Sequence, residues 1–182
     1  MNPTTPDIKE LYSAIRDNDA KRLAQLCSGV VLSTYSDNRQ SDHRLTEAIQ
    51  RSAGIPVLQV LINSGVDPHA IPKRGGFSPL AKAVQLERID CLKYLLDLGV
   101  DPNLGLEDQR TTLTAVSHTI PAPSQLEMLK LLVEHGVDIN FQFTLFGDKQ
   151  KLFTVLDHAT HPEVKDYLRS VGGKTAAELA GH

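Results

Sequence analysis

One short phrase occurs three times in this 182-residue chain and constrains its fold more than any other feature. It reads Leu61-Ile-Asn-Ser-Gly65-Val66-Asp67-Pro-His69, then Leu95-Leu-Asp-Leu-Gly99-Val100-Asp101-Pro-Asn103, then Leu132-Val-Glu-His-Gly136-Val137-Asp138-Ile-Asn140. The glycines lie 34 and 37 residues apart. Self-similarity near this period, with an apolar helical pattern before each glycine, marks a stacked repeat array. A unit of that size cannot bury its own apolar face, so neighbours must share one continuous core.

A second phrase precedes each glycine phrase. It is clearest as Ser78-Pro79-Leu80-Ala81-Lys82-Ala83, and recurs as Thr112-Leu113-Thr114-Ala115-Val116 and Thr154-Val155-Leu156-Asp157-His158-Ala159. Arg44-Leu45-Thr46-Glu47-Ala48 and Glu10-Leu11-Tyr12-Ser13-Ala14 fit the same slots more loosely. Ser or Thr ahead of Pro-Leu opens a helix, because the hydroxyl caps free N–H groups and Pro suits the first turn. A second helix follows with apolar residues at i, i+3 and i+4 spacing, as in Ile89, Leu92, Leu95 and Leu96. Glycine ends it in the left-handed conformation. Asp67, Asp101 and Asp138 then begin an extended turn, or finger, toward the next unit.

These two phrases together resemble the ankyrin repeat, whose pattern is Thr-Pro-Leu-His-x-Ala, a second helix, then Leu-Leu-x-x-Gly-Ala-Asp-x-Asn. Residues 78–104 carry the pattern best and 43–141 carry it clearly. The resemblance implies an all-α solenoid of helix-turn-helix units with β-turn or hairpin fingers. It implies one domain over 1–182, with about five repeats and a C-terminal half-repeat, Gly173–Ala180, as cap. Polar outer faces on terminal units keep an open-ended solenoid in solution, and Glu178 is expected to face the place of a missing neighbour. The family's His is absent from every copy: Ser13, Thr46, Ala81, Thr114 and Asp157 hold its slot. That His bonds neighbouring units, so an array less stable than a consensus one is expected.

Irregularities point to where function departs from packing. Three extra residues fall in Thr119–Ser124, expected as a loop between the helices of the fourth unit. About seven more extend the finger 141–151. Its alternating start and Gly147-Asp148 turn predict a hairpin. Phe141, Phe143, Phe146 and Phe153 supply four of the chain's five Phe and four Tyr. These phenylalanines fit two roles, exposed anchors for a partner or a cover over the gap before the fifth unit. Lys149 extends the contact element. The finger 69–76 carries Lys73 and Arg74, and the finger at 104–110 carries Glu107, Asp108 and Arg110; each reads equally as a solvated turn or a contact.

The resemblance places binding on finger tips and on the concave face made by the first helices. The concave positions are Arg16, Asp17, Gln50, Arg51, Gln85, Glu87, His118 and Thr119. Their charges are mixed, which fits a shaped protein surface better than a polyanion. With net charge −3 and pI near 6.1 the chain lacks the basic footprint of a nucleic-acid binder. No apolar run reaches membrane-span length, and the N-terminus lacks signal-peptide character. Cys27 and Cys91 sit inside helical apolar patterns and read as reduced, buried residues of a cytoplasmic protein.

No convergent catalytic constellation is present: the chain has no Gly-x-Ser-x-Gly, no phosphate-cradling loop and no Cys-x-x-Cys. His158 and His161, with Asp157 and His118, are too few and ill-spaced for a metal site. The expectation is a non-enzymatic, cofactor-free binding module that is monomeric without its partner. As small ankyrin proteins with divergent repeats resemble bacterial antitoxins, one protein partner, a secreted toxin or effector, is expected. The alternative is a regulatory adaptor or inhibitor of a cytosolic signalling or host protein; an enzymatic or ligand-binding role of the histidines and acidic residues in the last two units ranks behind both.

Overall fold

In the computed structural model, residues 7–32, 44–71, 77–104, 112–116, 120–145 and 148–181 are described. Among them the chain builds five helix pairs: α1 (Ile8–Arg16) with α2 (Ala20–Leu26), α3 (Arg44–Gln50) with α4 (Ile55–Asn63), α5 (Pro79–Gln85) with α6 (Ile89–Asp97), α7 (Thr112–Ala115) with α8 (Ala122–Glu134), and α9 (Val155–His158) with α10 (Pro162–Ser170). A hairpin of β1 (Phe143–Leu145) and β2 (Asp148–Phe153) precedes the fifth pair, and α11 (Ala176–Ala180) follows it. First helices pack on first helices, α3 on α5 and α5 on α7. Second helices pack on second helices, α2 on α4, α4 on α6, α6 on α8 and α8 on α10. This is the all-α ankyrin-type solenoid, with a single two-stranded sheet among the described residues.

Every second helix is followed by a glycine in the left-handed conformation, and the last four stop by the same bond. Gly65, Gly99 and Gly136 have φ of 93°, 82° and 82°, and Gly29 and Gly172, at 74° and 89°, mark the first and fifth copies that the sequence phrase leaves unmarked. The next residue's N–H returns to the helix: Val66 to Leu61 O at 3.1 Å, Val100 to Leu95 O at 3.1 Å, Val137 to Leu132 O at 3.0 Å and Gly173 to Leu168 O at 2.8 Å. This six-to-one bond satisfies a carbonyl that the helix end leaves orphaned, and its αL residue costs glycine little. Each first helix opens as its sequence implies where a cap is present. Ser78 Oγ accepts the Ala81 N–H at 3.2 Å, and Thr154 accepts that of Asp157 at 3.4 Å.

The repeated slots form the core. Leu11, Leu45, Leu80, Leu113 and Leu156 are buried, as are Ala14, Ala48, Ala83, Ala115 and Ala159. Alanine one turn after leucine lets neighbouring first helices approach closely. Cys27 and Cys91 are free thiols inside this core. Burial raises the pKa of Cys27 and pushes that of Cys91 up to about 12, so both stay protonated and unreactive.

Units are also joined by asparagine rungs at the finger bases. Asn103 Nδ2 donates to Gly136 O at 3.0 Å while its Oδ1 accepts the Asp138 N–H at 2.8 Å. Asn140 repeats this one unit on, donating to Gly172 O at 3.2 Å and accepting from Lys174 N–H at 2.8 Å. The aspartate two residues earlier holds each rung, since Asp101 and Asp138 accept the N–H of Asn103 and Asn140. His69 occupies the equivalent slot after Asp67. Among the described residues its side chain makes no such bond.

In the His slot, Asp157 supplies a cross-unit bond of its own: its carboxylate accepts the N–H groups of Thr154 and of Ala176, both at 2.8 Å. Thr154 Oγ1 adds a bond to Lys174 O at 2.7 Å. Thr46 is the opposite case, its hydroxyl buried with no partner among the described residues. The missing histidine is therefore replaced in the fifth unit and left as a cost in the second.

One expectation is corrected. The extra residues near 119–124 do not all form a loop. Ala122, Pro123 and Ser124 are the first turn of α8, which has 13 residues against 9 in α4, α6 and α10. Proline fits there because first-turn N–H groups need no helical partner. Glu178 is exposed, and its charge is engaged on its own helix and by Arg169. Its carboxylate accepts from Thr175 N–H at 2.7 Å, Thr175 Oγ1 at 2.9 Å and Arg169 at 2.7 Å, closing a capping box on α11.

Replacing His69 with Asn should complete the ladder. One added hydrogen-bonded rung contributes about 1 kcal/mol, which in a chain of this size raises Tm by about 2–4 °C, readable by thermal circular dichroism. Arg169, first, and the Thr175 bonds hold the Glu178 pKa at about 2, below its ordinary 4.5. The contribution of this pair is thus fully present above pH 4.5 and is lost as pH falls through about 2. Hydrogen exchange at α11 should accelerate over that interval, and Glu178→Gln should abolish the pH dependence.

Candidate functional site

The exposed row on the first helices is set by how those helices end. The first three close with a non-glycine residue at positive φ: Asn18 at 53°, Ser52 at 59° and Glu87 at 54°. The following N–H returns to the conserved-slot alanine, Asp19 to Ala14 O at 2.9 Å, Ala53 to Ala48 O at 2.9 Å and Arg88 to Ala83 O at 2.8 Å. This turn puts the residues beside it into solvent. Arg16, Asp17, Gln50, Arg51, Gln85 and Glu87 are all exposed.

Cross-unit bonds fix the spacing of the row. Asn18 Oδ1 accepts the Gly54 N–H at 2.7 Å, joining units one and two. Arg88 Nη2 donates to Ala53 O at 2.8 Å, joining three to two, while the Asp90 carboxylate accepts from the same Nη2 at 2.9 Å and from Nε at 3.0 Å. Exposed side chains are tethered locally: Arg51 to Glu47 at 2.6 Å, Arg16 to Asp17 at 3.5 Å, and Lys82 to Gln85 at 2.7 Å with its ammonium 5.5 Å from the Phe77 ring. Such exposed pairs add little stability. They hold a surface of alternating sign in place, with Leu86, 40% exposed, between Gln85 and Glu87.

The long finger forms the predicted hairpin. β1 and β2 run antiparallel with Phe143 opposite Phe153 and Thr144 opposite Leu152, and the register shifts between Thr144 and Leu145. Successive residues point to opposite faces, and the two faces differ sharply. On the inner one, Phe143 is buried, stacked on His158 with ring centroids 5.6 Å apart, and Phe153 meets the same imidazole at 5.2 Å. On the outer one, Leu152 is 45% exposed. Lys151, also exposed, has its ammonium 5.1 Å from the Phe153 ring.

The predicted contact residues are thereby sorted. Phe143 is a core residue rather than a free anchor, and Phe141, half-buried, packs against the core beside it. The gap-covering role belongs to these two. Arg51, Gln85 and Glu87 share one exposed row. Lys149 lies in β2, its side chain outside the described part of the structure. Phe146, Lys73, Arg74, Glu107, Asp108, Arg110 and His118 lie outside the described residues. Sequence reasoning passed over Leu86 and Leu152. Leu152 carried a signal nonetheless, being an apolar residue beside the hairpin's aromatics but out of phase with them.

Chemistry at the histidines has no supporting geometry. Among the described residues no group of three or more His, Cys, Asp or Glu could hold a metal ion. The Asp157 carboxylate is already engaged by Thr154 and Ala176. No described helix is long and apolar enough to cross a membrane.

A stack of helix pairs with projecting fingers and an exposed first-helix row is a binding scaffold, and its relatives agree. The family model for ankyrin repeats matches three copies over residues 45–143. The chain belongs to the ankyrin repeat family, and it is a protein–protein interaction module. Among solved structures it is similar to the ankyrin repeat domain of Bcl-3, described as a unique member of the IkappaB protein family. The TM-score is 0.64 and the identity 22%, over 87% of this chain and 66% of that one. The chain thus spans just under two thirds of that structure's length. No curated protein matches it.

Phe143→Ala should cost about 3 kcal/mol or more, as removal of a buried aromatic does, and should release the hairpin from His158. Leu152→Ala, at an exposed position, should stay within about 0.5 kcal/mol of the parent. Urea denaturation of the two variants separates these outcomes.

Proposed function

We propose that this array binds one protein partner across the first-helix row and the hairpin, and inhibits it by covering its working surface. The particular form proposed is that of an immunity protein, which neutralises a secreted toxin or effector inside the cytoplasm. The observation that carries the reading is the hairpin. It is the largest insertion in an otherwise regular stack, and an aromatic pair clamped on His158 holds it rigid. A rigid insertion lowers the ordering cost of association and suits one partner of fixed shape. The mixed charges of Arg16, Asp17, Arg51 and Glu87 favour a protein over a nucleic acid. The binder is taken to be monomeric before it meets that partner.

A second reading is a regulatory adaptor that serves several partners. The likeness to a domain of the IkappaB protein family points that way, though at this identity it speaks for the fold. Affinity purification from the native cells separates the two. One stoichiometric, salt-resistant partner that is toxic when expressed alone supports the immunity form, and several substoichiometric partners support the adaptor. Charge reversal on the row, Arg51→Glu with Glu87→Lys, should weaken capture of that partner about tenfold while leaving the helical signal unchanged. Unaltered capture would remove the row from the interface.

A further inference from the structure

The first helices of units one to three end in the same turn, which puts one residue of each unit in an equivalent place. Asp17, Arg51 and Leu86 each precede the residue at positive φ. The N–H of each returns to the carbonyl four positions back, on Ser13, Glu47 and Lys82, at 2.8, 3.0 and 3.1 Å. All three are exposed, but they are not equally engaged. Asp17 accepts from Ser13 Oγ at 3.0 Å and lies 3.5 and 3.9 Å from Arg16 and Arg22, so its charge is met within its own unit. Arg51 gives only its Nε to Glu47. Among the described residues its two terminal nitrogens have no protein partner. Leu86 is an apolar side chain 40% exposed.

Units two and three therefore present an open guanidinium edge and an open apolar side chain. Glu87 stands beside the latter, exposed and without an ion pair among the described residues. A guanidinium fork suits a carboxylate, whereas Glu87 repels one. A carboxylate is thus welcome over Arg51 and unwelcome over Leu86, and repulsion of this kind selects a partner as much as attraction does.

The step between the two units selects the shape of what binds. α3 packs on α5, and the axes of packed helices lie about 8–10 Å apart. On an extended strand, side chains of one face recur about every 6.6 Å, so the next choices are about 6.6 and about 13 Å. On a helix, residues about seven apart share a face and lie about 10.5 Å apart. The helix meets the step more closely, and the strand falls to either side of it.

We infer that units two and three seat a helix of the partner that carries a carboxylate and a large apolar side chain about seven residues apart, the carboxylate on Arg51 and the apolar group on Leu86. This deepens the proposed function, on which it rests, by naming the partner element that meets the first-helix row. A second copy of this chain is a poor occupant. The large hydrophobic residues exposed among the described residues are Val31, Ile71, Leu86, Leu98 and Leu152, and none of them lies within a helix.

The test uses the whole chain and a displayed library of random peptides about twenty residues long, about 30 Å when helical, with the Arg51→Glu chain as counter-target. Enriched peptides should pair Asp or Glu with Leu, Ile, Met or Phe at a separation of about seven. A proline placed midway between the pair should abolish their binding, because it breaks a helix. Binding should fall about tenfold or more on Arg51→Glu, Leu86→Asp and Leu86→Ser. Arg51→Gln, which sets no like charge beside Glu47, should lose binding in the same direction. Glu87→Gln should admit peptides with a second carboxylate next to the apolar residue, which the parent excludes. Circular dichroism melts of the variants should match the parent, because the changed side chains are exposed.

Pairs two or four positions apart, pairs that tolerate the proline, or failure to enrich any peptide overturn the helical occupant. Peptides that bind the Arg51 and Leu86 variants as well as the parent overturn the assignment of these two residues. Capture of the natural partner is read separately. A partner lost on the Arg51→Glu, Glu87→Lys reversal that crosslinks to this turn through a strand or loop overturns the inference and leaves the proposed function standing.

Discussion

Everything in this molecule depends on contact between neighbours along a line. No helix pair encloses a core of its own, and Leu11, Leu45, Leu80, Leu113 and Leu156 are buried because the adjoining unit covers them. Hydrophobic burial supplies the attraction but does not by itself fix direction. Direction comes from the helix ends. Glycine in the left-handed conformation turns the chain out of each second helix at one angle, and the aspartate and asparagine that follow tie it to the next unit. The apolar slots make the units adhere, and the polar bonds at their edges set the angle at which they do so.

The fold was legible in the sequence because its signals are local and repeated. Ser78, Pro79 and Gly99 act within a turn of themselves, so their roles can be read from spacing. What escaped were bonds between distant residues. Nothing in the spelling of Asp157 indicates that its carboxylate reaches Ala176, and nothing in Asn18 indicates a bond to Gly54. The candidate site was legible in part for the same reason. Arg51, Gln85 and Glu87 follow from a helix-face argument and are all exposed. The hairpin followed from alternation, but which side of it faces the core depends on where His158 lies in space, and so the sequence left both roles open for Phe143. The helix α8 shows a further limit, since a proline-rich insertion reads as loop although proline is at home in a first turn.

The hairpin also shows how an array can carry an irregularity without loss of order. An isolated two-stranded hairpin is marginal in water. Here it borrows rigidity from α9, whose own short length is supported by the capping box of Thr154 and Asp157. That box in turn reaches α11 through Ala176 and Lys174. The C-terminal half-unit is thus part of what steadies the inserted element, two steps removed from it.

The asparagine rungs lead to a last consequence. They join the third unit to the fourth and the fourth to the fifth, whereas among the described residues the second-to-third junction has the Arg88 bond and no rung at His69. In a linear stack the coupling between neighbours governs how far a disturbance spreads. Strain entering from the hairpin end is therefore passed across three units by one repeated side-chain bond, and among the described residues that row of bonds ends at a single histidine.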